Sequence, residues 1–384
     1  MRILWKKFLL LAPLAILVIG LNTWVDPGNI LNKGRTETQM AATLTTGLNC
    51  AANSDVDERL LREALIEQSA IVPEVVVFGS SRSLQIRASH FPGFSFMNCA
   101  VPMVDIEDMI GLHAAFLGRK TYPRYFIIGV EPWMLSENFD RPRYVSLYRV
   151  YGRGLRDMNL EGGISRTEYL RWRVSPLVEL VSPAYLSVAL RALPRILRAP
   201  SSNIKFEPTT DSVGNGWIWL ADGSLAYERG VQEASVAEVT KQALNAIASG
   251  KYKGYGSEPP GRSRIEKFEA LIAAFRNHGA TVFFLLAPFH PLFYEQLCGT
   301  ADFTIVGDAE RYYRTLAFER NIPLAGSFNP DSCNAQASDF FDEVHPRPAF
   351  LQRLLNQLLV QDPSQDRLVS RTMPQTVQKD APSN

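Results

Sequence analysis

Apolar and polar positions divide this chain into three regimes. Residues 8–25 are almost continuously apolar, interrupted by Asn22 and Thr23, with Arg2, Lys6 and Lys7 ahead of them. From about 57 to 137, and again from 262 to 360, short apolar runs alternate with stretches of helical period. The intervening stretch, about 138–261, shows no such alternation. In the first alternating block, Leu60, Leu61, Ala64 and Leu65 give a helix over 57–68, Val75–Phe78 reads as a strand covered on both faces, 94–97 as a second strand, 104–117 as a helix and 125–130 as a third strand. In the second, 264–277 is an amphipathic helix, 281–287 a strand, 309–320 a helix, 323–325 a short strand and 348–359 a helix opened by prolines that suit a first turn.

Strands alternating with helices predict a mostly parallel sheet with helices on both faces. Within the middle region, 169–197 has helical character broken by Pro176, Pro183 and Pro194, and 217–227 reads as a hairpin turning on Asp222-Gly223. Residues 254–261 are a loop, 26–56 a polar linker, and the stretch from 362 to 384 a disordered tail. In a parallel α/β sheet the functional site lies beyond the carboxyl ends of the strands. Gly79-Ser80-Ser81, Glu131, His290 and the 342–345 turn would therefore gather along one edge.

The apolar start changes the picture of compartment. About 18 residues rising 1.5 Å each cover roughly 27 Å, close to one hydrocarbon thickness. With basic residues before the span, the positive-inside rule places the N-terminus in the cytoplasm and the main domain outside. An uncleaved signal anchor over 1–25 is the expectation, and a cleaved signal peptide the alternative. A net charge of +1 argues against nucleic acid as a partner. The four cysteines show no metal-ligand spacing with the histidines; Cys298 and Cys333 are the expected disulfide of an exported chain.

The candidate chemistry sits in two fragments: Val75-Val76-Val77-Phe78-Gly79-Ser80-Ser81-Arg82 and Asp339-Phe340-Phe341-Asp342-Glu343-Val344-His345-Pro346. Ser81 on a strand-to-helix turn reads as a nucleophile or as a helix cap. His345 reads as its general base or as a surface histidine, and Asp342 as the carboxylate that orients the ring, with Asp339 as competitor. Asn98 offers an amide to a developing oxyanion or is a turn residue. Arg82 binds an anionic polymer or makes a salt bridge. Glu131 orients a site side chain or caps a helix. His290 contacts substrate, acts as an alternative base, or is a loop histidine. Trp217 and Trp219 share a face for stacking on sugar rings or for packing a hairpin core.

These fragments resemble the SGNH (GDSL-type) hydrolase superfamily, whose first block is a strand followed by Gly-Asp-Ser and whose last is Asp-x-x-His. The likeness covers roughly 70–135 and 262–360. With Ser80 in the aspartate's place and an N-terminal anchor, it is closest in pattern to envelope members that act in D-alanylation of lipoteichoic acid and O-acetylation of alginate and cellulose. Two blocks depart: Asn98-Cys99-Ala100-Val101-Pro102 has no glycine, and Gly129-Val130-Glu131-Pro132 carries a glutamate where the superfamily has an asparagine. An ionised glutamate only accepts hydrogen bonds, so it cannot donate to an oxyanion.

The resemblance implies an SGNH-like three-layer α/β/α domain over 57–361, interrupted by an inserted helical and hairpin region at about 138–261 and preceded by a transmembrane helix. It implies a serine acyltransferase or esterase acting on an envelope polysaccharide, without cofactor, alongside a membrane-bound O-acyltransferase or polysaccharide synthase complex. The competing expectation is a non-catalytic module of the same fold that binds polymer or scaffolds an export complex.

Overall fold

The computed structural model describes residues 2–139, 142–198, 205–250, 258–297, 300 and 303–360. The tail expected over 362–384 lies outside them, as do Cys298 and residues 254–257 of the expected loop. Cys333 is a free thiol, its Sγ 3.5 Å from the Pro330 carbonyl.

The strands in chain order are β1 (Asn49–Ala52), β2 (Val75–Phe78), β3 (Phe96–Asn98), β4 (Tyr125–Gly129), β5 (Phe206–Thr209), β6 (Ile218–Trp219), β7 (Leu225–Ala226), β8 (Thr281–Leu286) and β9 (Leu324–Gly326). Five form one sheet in the order β3-β2-β4-β8-β9, every pair parallel. Every residue of β2 and β4 is buried, as central strands covered on both faces must be. The period-2 alternation splits their side chains between two cores. Val76, Phe78, Phe126, Ile128 and Phe284 face one side, with the helices Ile106–Phe116, Arg262–Asn277 and Thr304–Arg320. Val75, Val77, Ile127, Phe283 and Leu285 face the other, against Phe350, Leu351, Leu354, Leu355 and Leu358 of the last helix, Pro348–Val360. Helices thus cover both faces.

Residues 26–56 are folded, contrary to the linker expected there. The Asp26 carboxylate accepts the Ile30 and Leu31 N–H groups at 2.8 and 3.1 Å and the Tyr185 hydroxyl at 2.9 Å. The helix Arg35–Leu44 then buries Met40, Ala41 and Leu44 at helical spacing, and β1 follows. The segment looks polar because part of its buried face is polar: Glu37 lies in the interior, bonded to Asn29 and to the Asp57 N–H.

β1 belongs to a second, antiparallel sheet of order β5-β1-β6-β7, which joins the N-terminal segment to the inserted region. The hairpin β6–β7 forms where expected, but its turn is not centred on Asp222-Gly223. Gly223 N–H donates to the Leu220 carbonyl at 2.8 Å and Leu220 N–H to the Ser224 carbonyl at 2.9 Å, so Ala221 and Asp222 are central and Gly223, at φ 82°, supplies the left-handed residue of a three-residue loop. A side chain at Gly223 would also collide with the Asn98 carbonyl.

The N-terminal helix spans Arg2–Val25. Among the described residues no single helix is long and apolar enough to cross a membrane; Ala12–Val25 is a shorter apolar helical stretch.

Candidate active site

β2 ends at Phe78, and the chain turns at Gly79 into a short 3-10 helix, Ser81–Ser83. Gly79 and Gly129 are both small for one reason: a Cβ on either would run into the Ser83 side chain, which sits between the ends of β2 and β4. Ser80 caps the turn, its Oγ accepting the Arg82 N–H at 3.1 Å. Ser81, one residue later, is partly exposed at the sheet edge. Its N–H opens the 3-10 turn and therefore has no acceptor within it.

Opposite lies a tight loop, pinned by the Phe340–Pro346 bridge and by Phe341 N–H on the His345 carbonyl at 2.9 Å. His345 Nε2 is 2.8 Å from Ser81 Oγ, and His345 Nδ1 is 2.7 Å from Asp342 Oδ2. The other Asp342 oxygen accepts the backbone N–H groups of Val344 and His345, each at 2.9 Å. Burial would raise the Asp342 carboxyl, but the electrostatic influence of the neighbouring His345 ring, its hydrogen bond and the two backbone donors together hold it down at about 2. Asp339 is engaged elsewhere, accepting from Gln336 N–H and Arg353.

Arg82 and Glu131 are wholly buried and occupied with each other, Nη1 to Oε2 at 2.6 Å. Glu131 also accepts the Ser80 hydroxyl. Burial is the largest influence on the Glu131 carboxyl and raises it, with Arg82 and the two hydrogen bonds opposing. Arg82 donates to the Ala287 carbonyl and, through Nε at 3.2 Å, to the Val344 carbonyl, and its guanidinium lies 4.1 Å from the Phe289 ring centroid. The readings of Arg82 as a polymer contact and Glu131 as a helix cap give way to a buried ion pair joining the serine turn, the end of β4 and the histidine loop.

Asn98 is also turned away from the role of oxyanion donor. Its amide N–H groups go to the Ser83 and Ile86 carbonyls at 2.9 and 2.8 Å, and its Oδ1 accepts Ala100 N–H. His290 is buried, its Nδ1 accepting Leu292 N–H at 3.3 Å and its ring packed edge-on to Phe340; Nε2 has no hydrogen-bond partner among the described residues. Burial lowers its pKa, which keeps the ring neutral. His290 N–H donates to the Glu343 carbonyl at 3.1 Å, so this residue buttresses the histidine loop rather than standing in as a base.

Sequence reasoning did not single out Tyr227, at the end of β7. Its buried ring stands edge-on to His345 at 5.8 Å and to Phe341 at 5.3 Å, so the inserted region walls the His345 imidazole. Trp217 contacts Tyr227 at 6.0 Å. Trp217 also lines a cleft of about 670 Å³, together with Trp172, Trp219 and Tyr185 and with Asp55, Glu58 and Glu179. None of the triad residues lines this cleft; it adjoins them through Trp217 and Tyr227.

Away from the triad, His113 Nε2 and His278 Nε2 both lie 2.9 Å from the Asp157 carboxylate, a group able to hold a metal ion. The three residues are far apart in sequence, which is why no ligand spacing announced them. No protein-family model matches the chain, and no curated protein matches it.

Proposed function

We propose that the protein is a membrane-anchored serine acyltransferase or esterase of SGNH-like fold, acting outside the cytoplasm on an envelope polysaccharide and most simply transferring acetyl groups. The observation that carries this reading is the unbroken relay from Asp342 through His345 to Ser81, with contacts of 2.7 and 2.8 Å.

In the first half-reaction His345 Nε2 takes the Ser81 proton as Oγ attacks the acyl carbonyl carbon. Asp342 holds the Nδ1–H tautomer and stabilises the imidazolium, and the Ser81 N–H faces the developing oxyanion. Collapse of the tetrahedral intermediate breaks the bond to the leaving group, which takes the proton from His345, and leaves acyl-Ser81. In the second half-reaction His345 deprotonates a sugar hydroxyl, or water, that attacks the acyl carbon; Ser81 recovers its proton. The indole-lined cleft beside Trp217 supports a carbohydrate acceptor, because aromatic faces stack on sugar rings while carboxylates accept from hydroxyls. A membrane-bound O-acyltransferase would deliver the acyl group across the bilayer.

A second reading, a non-catalytic polymer-binding or scaffolding module, is favoured by the missing donors: Asn98 is committed to backbone carbonyls and Glu131 only accepts. Fluorophosphonate labelling of the purified full chain separates the two. Labelling lost in Ser81→Ala supports the enzyme; absence of labelling in folded protein refutes it.

A further inference from the structure

The apolar surface of this protein does not end with its N-terminal helix. The helix Arg166–Val174 runs into the 3-10 segment Ser175–Val181, and after a bend of 72° the chain continues as the helix Pro183–Arg198. A core hairpin would bury its leucines and valines. Here no residue of the first two segments is buried, and Val174, Val178, Val181 and Leu197 are each more than half exposed. Patches of this kind on a protein surface mark a partner or a membrane.

Three observations identify the occupant. First, the patch continues that of the N-terminal helix. Asn22 Nδ2 donates to the Leu180 carbonyl at 2.9 Å, and Val25 packs with Ala189 and Ile196, so the exposed Leu14, Ile16 and Leu17 belong to the element on which the hairpin rests. Second, the two arms together are long and apolar enough for a broken span or re-entrant loop, although no single helix is. Third, residues 166–198 carry six arginines against two glutamates, the charge sense that suits anionic phospholipid headgroups.

We infer that residues 166–198 are a second lipid-contacting element, a bent hairpin lying in the bilayer interface beside the N-terminal helix with its arginines among anionic headgroups. Such an arrangement follows the physics of interfacial helices, in which apolar burial and electrostatic attraction add. Because Trp172, Glu179 and Tyr185 of this hairpin form one wall of the large cleft, the cleft would open at the membrane surface. The inference rests on the membrane anchorage proposed above and not on catalysis.

The test uses the full chain in vesicles of phosphatidylcholine and phosphatidylglycerol. A dansyl-bearing amino acid replaces Val178, Leu190 or, as a control remote from the hairpin, the exposed Phe318, and lipids brominated along the acyl chain serve as quenchers. Melting temperature and circular dichroism matching the unlabelled chain establish folding of each variant. Probes at 178 and 190 are expected to shift to the blue and to lose roughly half of their emission or more, as apolar contacts at the acyl boundary do, with the probe at 318 unchanged. A chain that floats with the vesicles but shows no more quenching at 178 and 190 than at 318 overturns the inference while leaving the anchorage standing, and turns attention to a protein partner or a second copy. Failure to float overturns both. Neither result depends on Ser81 chemistry, which fluorophosphonate labelling reads separately.

Discussion

Replacing Asp342 by asparagine isolates the electrostatic part of the site. The asparagine Oδ1 can still accept the Val344 and His345 N–H groups now 2.9 Å from the carboxylate, so the loop keeps its backbone bonds. The amide N–H, however, meets His345 Nδ1 where a carboxylate oxygen now lies at 2.7 Å. Nδ1 must then accept, and the ring proton moves to Nε2. A protonated Nε2 donates to Ser81 Oγ instead of taking its proton, so the base is disabled without loss of shape. The acylation rate is expected to fall on the order of 10,000-fold, the magnitude associated with a wrong tautomer in such triads.

The same substitution has a stability signature. A fall from 3.8 to about 2 in the Asp342 pKa corresponds to about 2.5 kcal/mol at roughly 1.36 kcal/mol per pH unit. Because the side chain is 25% exposed, solvent screening reduces this to about 1.5–2 kcal/mol. The folded pKa is depressed, so the contribution is fully present above 3.8 and is lost as pH falls through about 2. Melting temperatures of Asp342→Asn and the parent chain should therefore differ near neutral pH and converge as pH falls from about 4 toward 2. The assay is fluorophosphonate labelling rate beside a pH series of thermal melts. Labelling at the parent rate, or a melting gap that persists unchanged to pH 2, would refute the reasoning.

Other substitutions test the supporting residues. Glu131→Gln leaves the Arg82 guanidinium buried without its counter-charge and should cost about 3–5 kcal/mol in denaturant unfolding. Asn98→Ala removes two donors to buried carbonyls and should cost about 2–4 kcal/mol while changing labelling only a few-fold; a loss of about 100-fold or more would instead restore it as an oxyanion donor. Gly129→Ala forces a methyl onto Ser83 and is expected to destabilise by about 1–3 kcal/mol, read from the melting curve. Trp217→Ala should raise KM for a polysaccharide acceptor with Ser81 labelling unchanged; equal loss of both would place Trp217 in the structural wall alone.

The parallel sheet was legible because its central strands are continuous apolar runs, and Val75–Phe78 and Tyr125–Gly129 are indeed buried along their whole length. The meeting of Ser81 with Asp342 and His345 was legible for a topological reason: both fragments follow strand ends on the same edge of a parallel sheet. What pattern could not reveal was the use of polar residues inside. Glu37, Arg82, Asn98 and Glu131 are buried and paired, and a pattern read as polar-means-outside sends each to the surface. The 26–56 segment was misjudged on the same ground, since its helix buries only a narrow apolar stripe and completes the interior with Glu37. Tyr227 gave no signal, because nothing local says which loop a hairpin residue will face.

Those buried charges also explain how the site tolerates a glutamate where the resemblance leads one to expect an asparagine. At that position a side chain can serve the oxyanion only if its amide points toward the serine. Glu131 points instead to Ser80 and Arg82, and Arg82 reaches on to the Val344 carbonyl, one residue before His345. The serine turn and the histidine loop therefore share one guanidinium, itself held by one carboxylate. Disturbing Glu131 should move Ser81 and His345 apart as well as weaken the fold, whereas disturbing Asn98 should weaken the fold alone. Equal labelling rates for Glu131→Gln and Asn98→Ala, measured at matched fractions of folded protein, would show that the ion pair serves the core and has no part in aligning the relay.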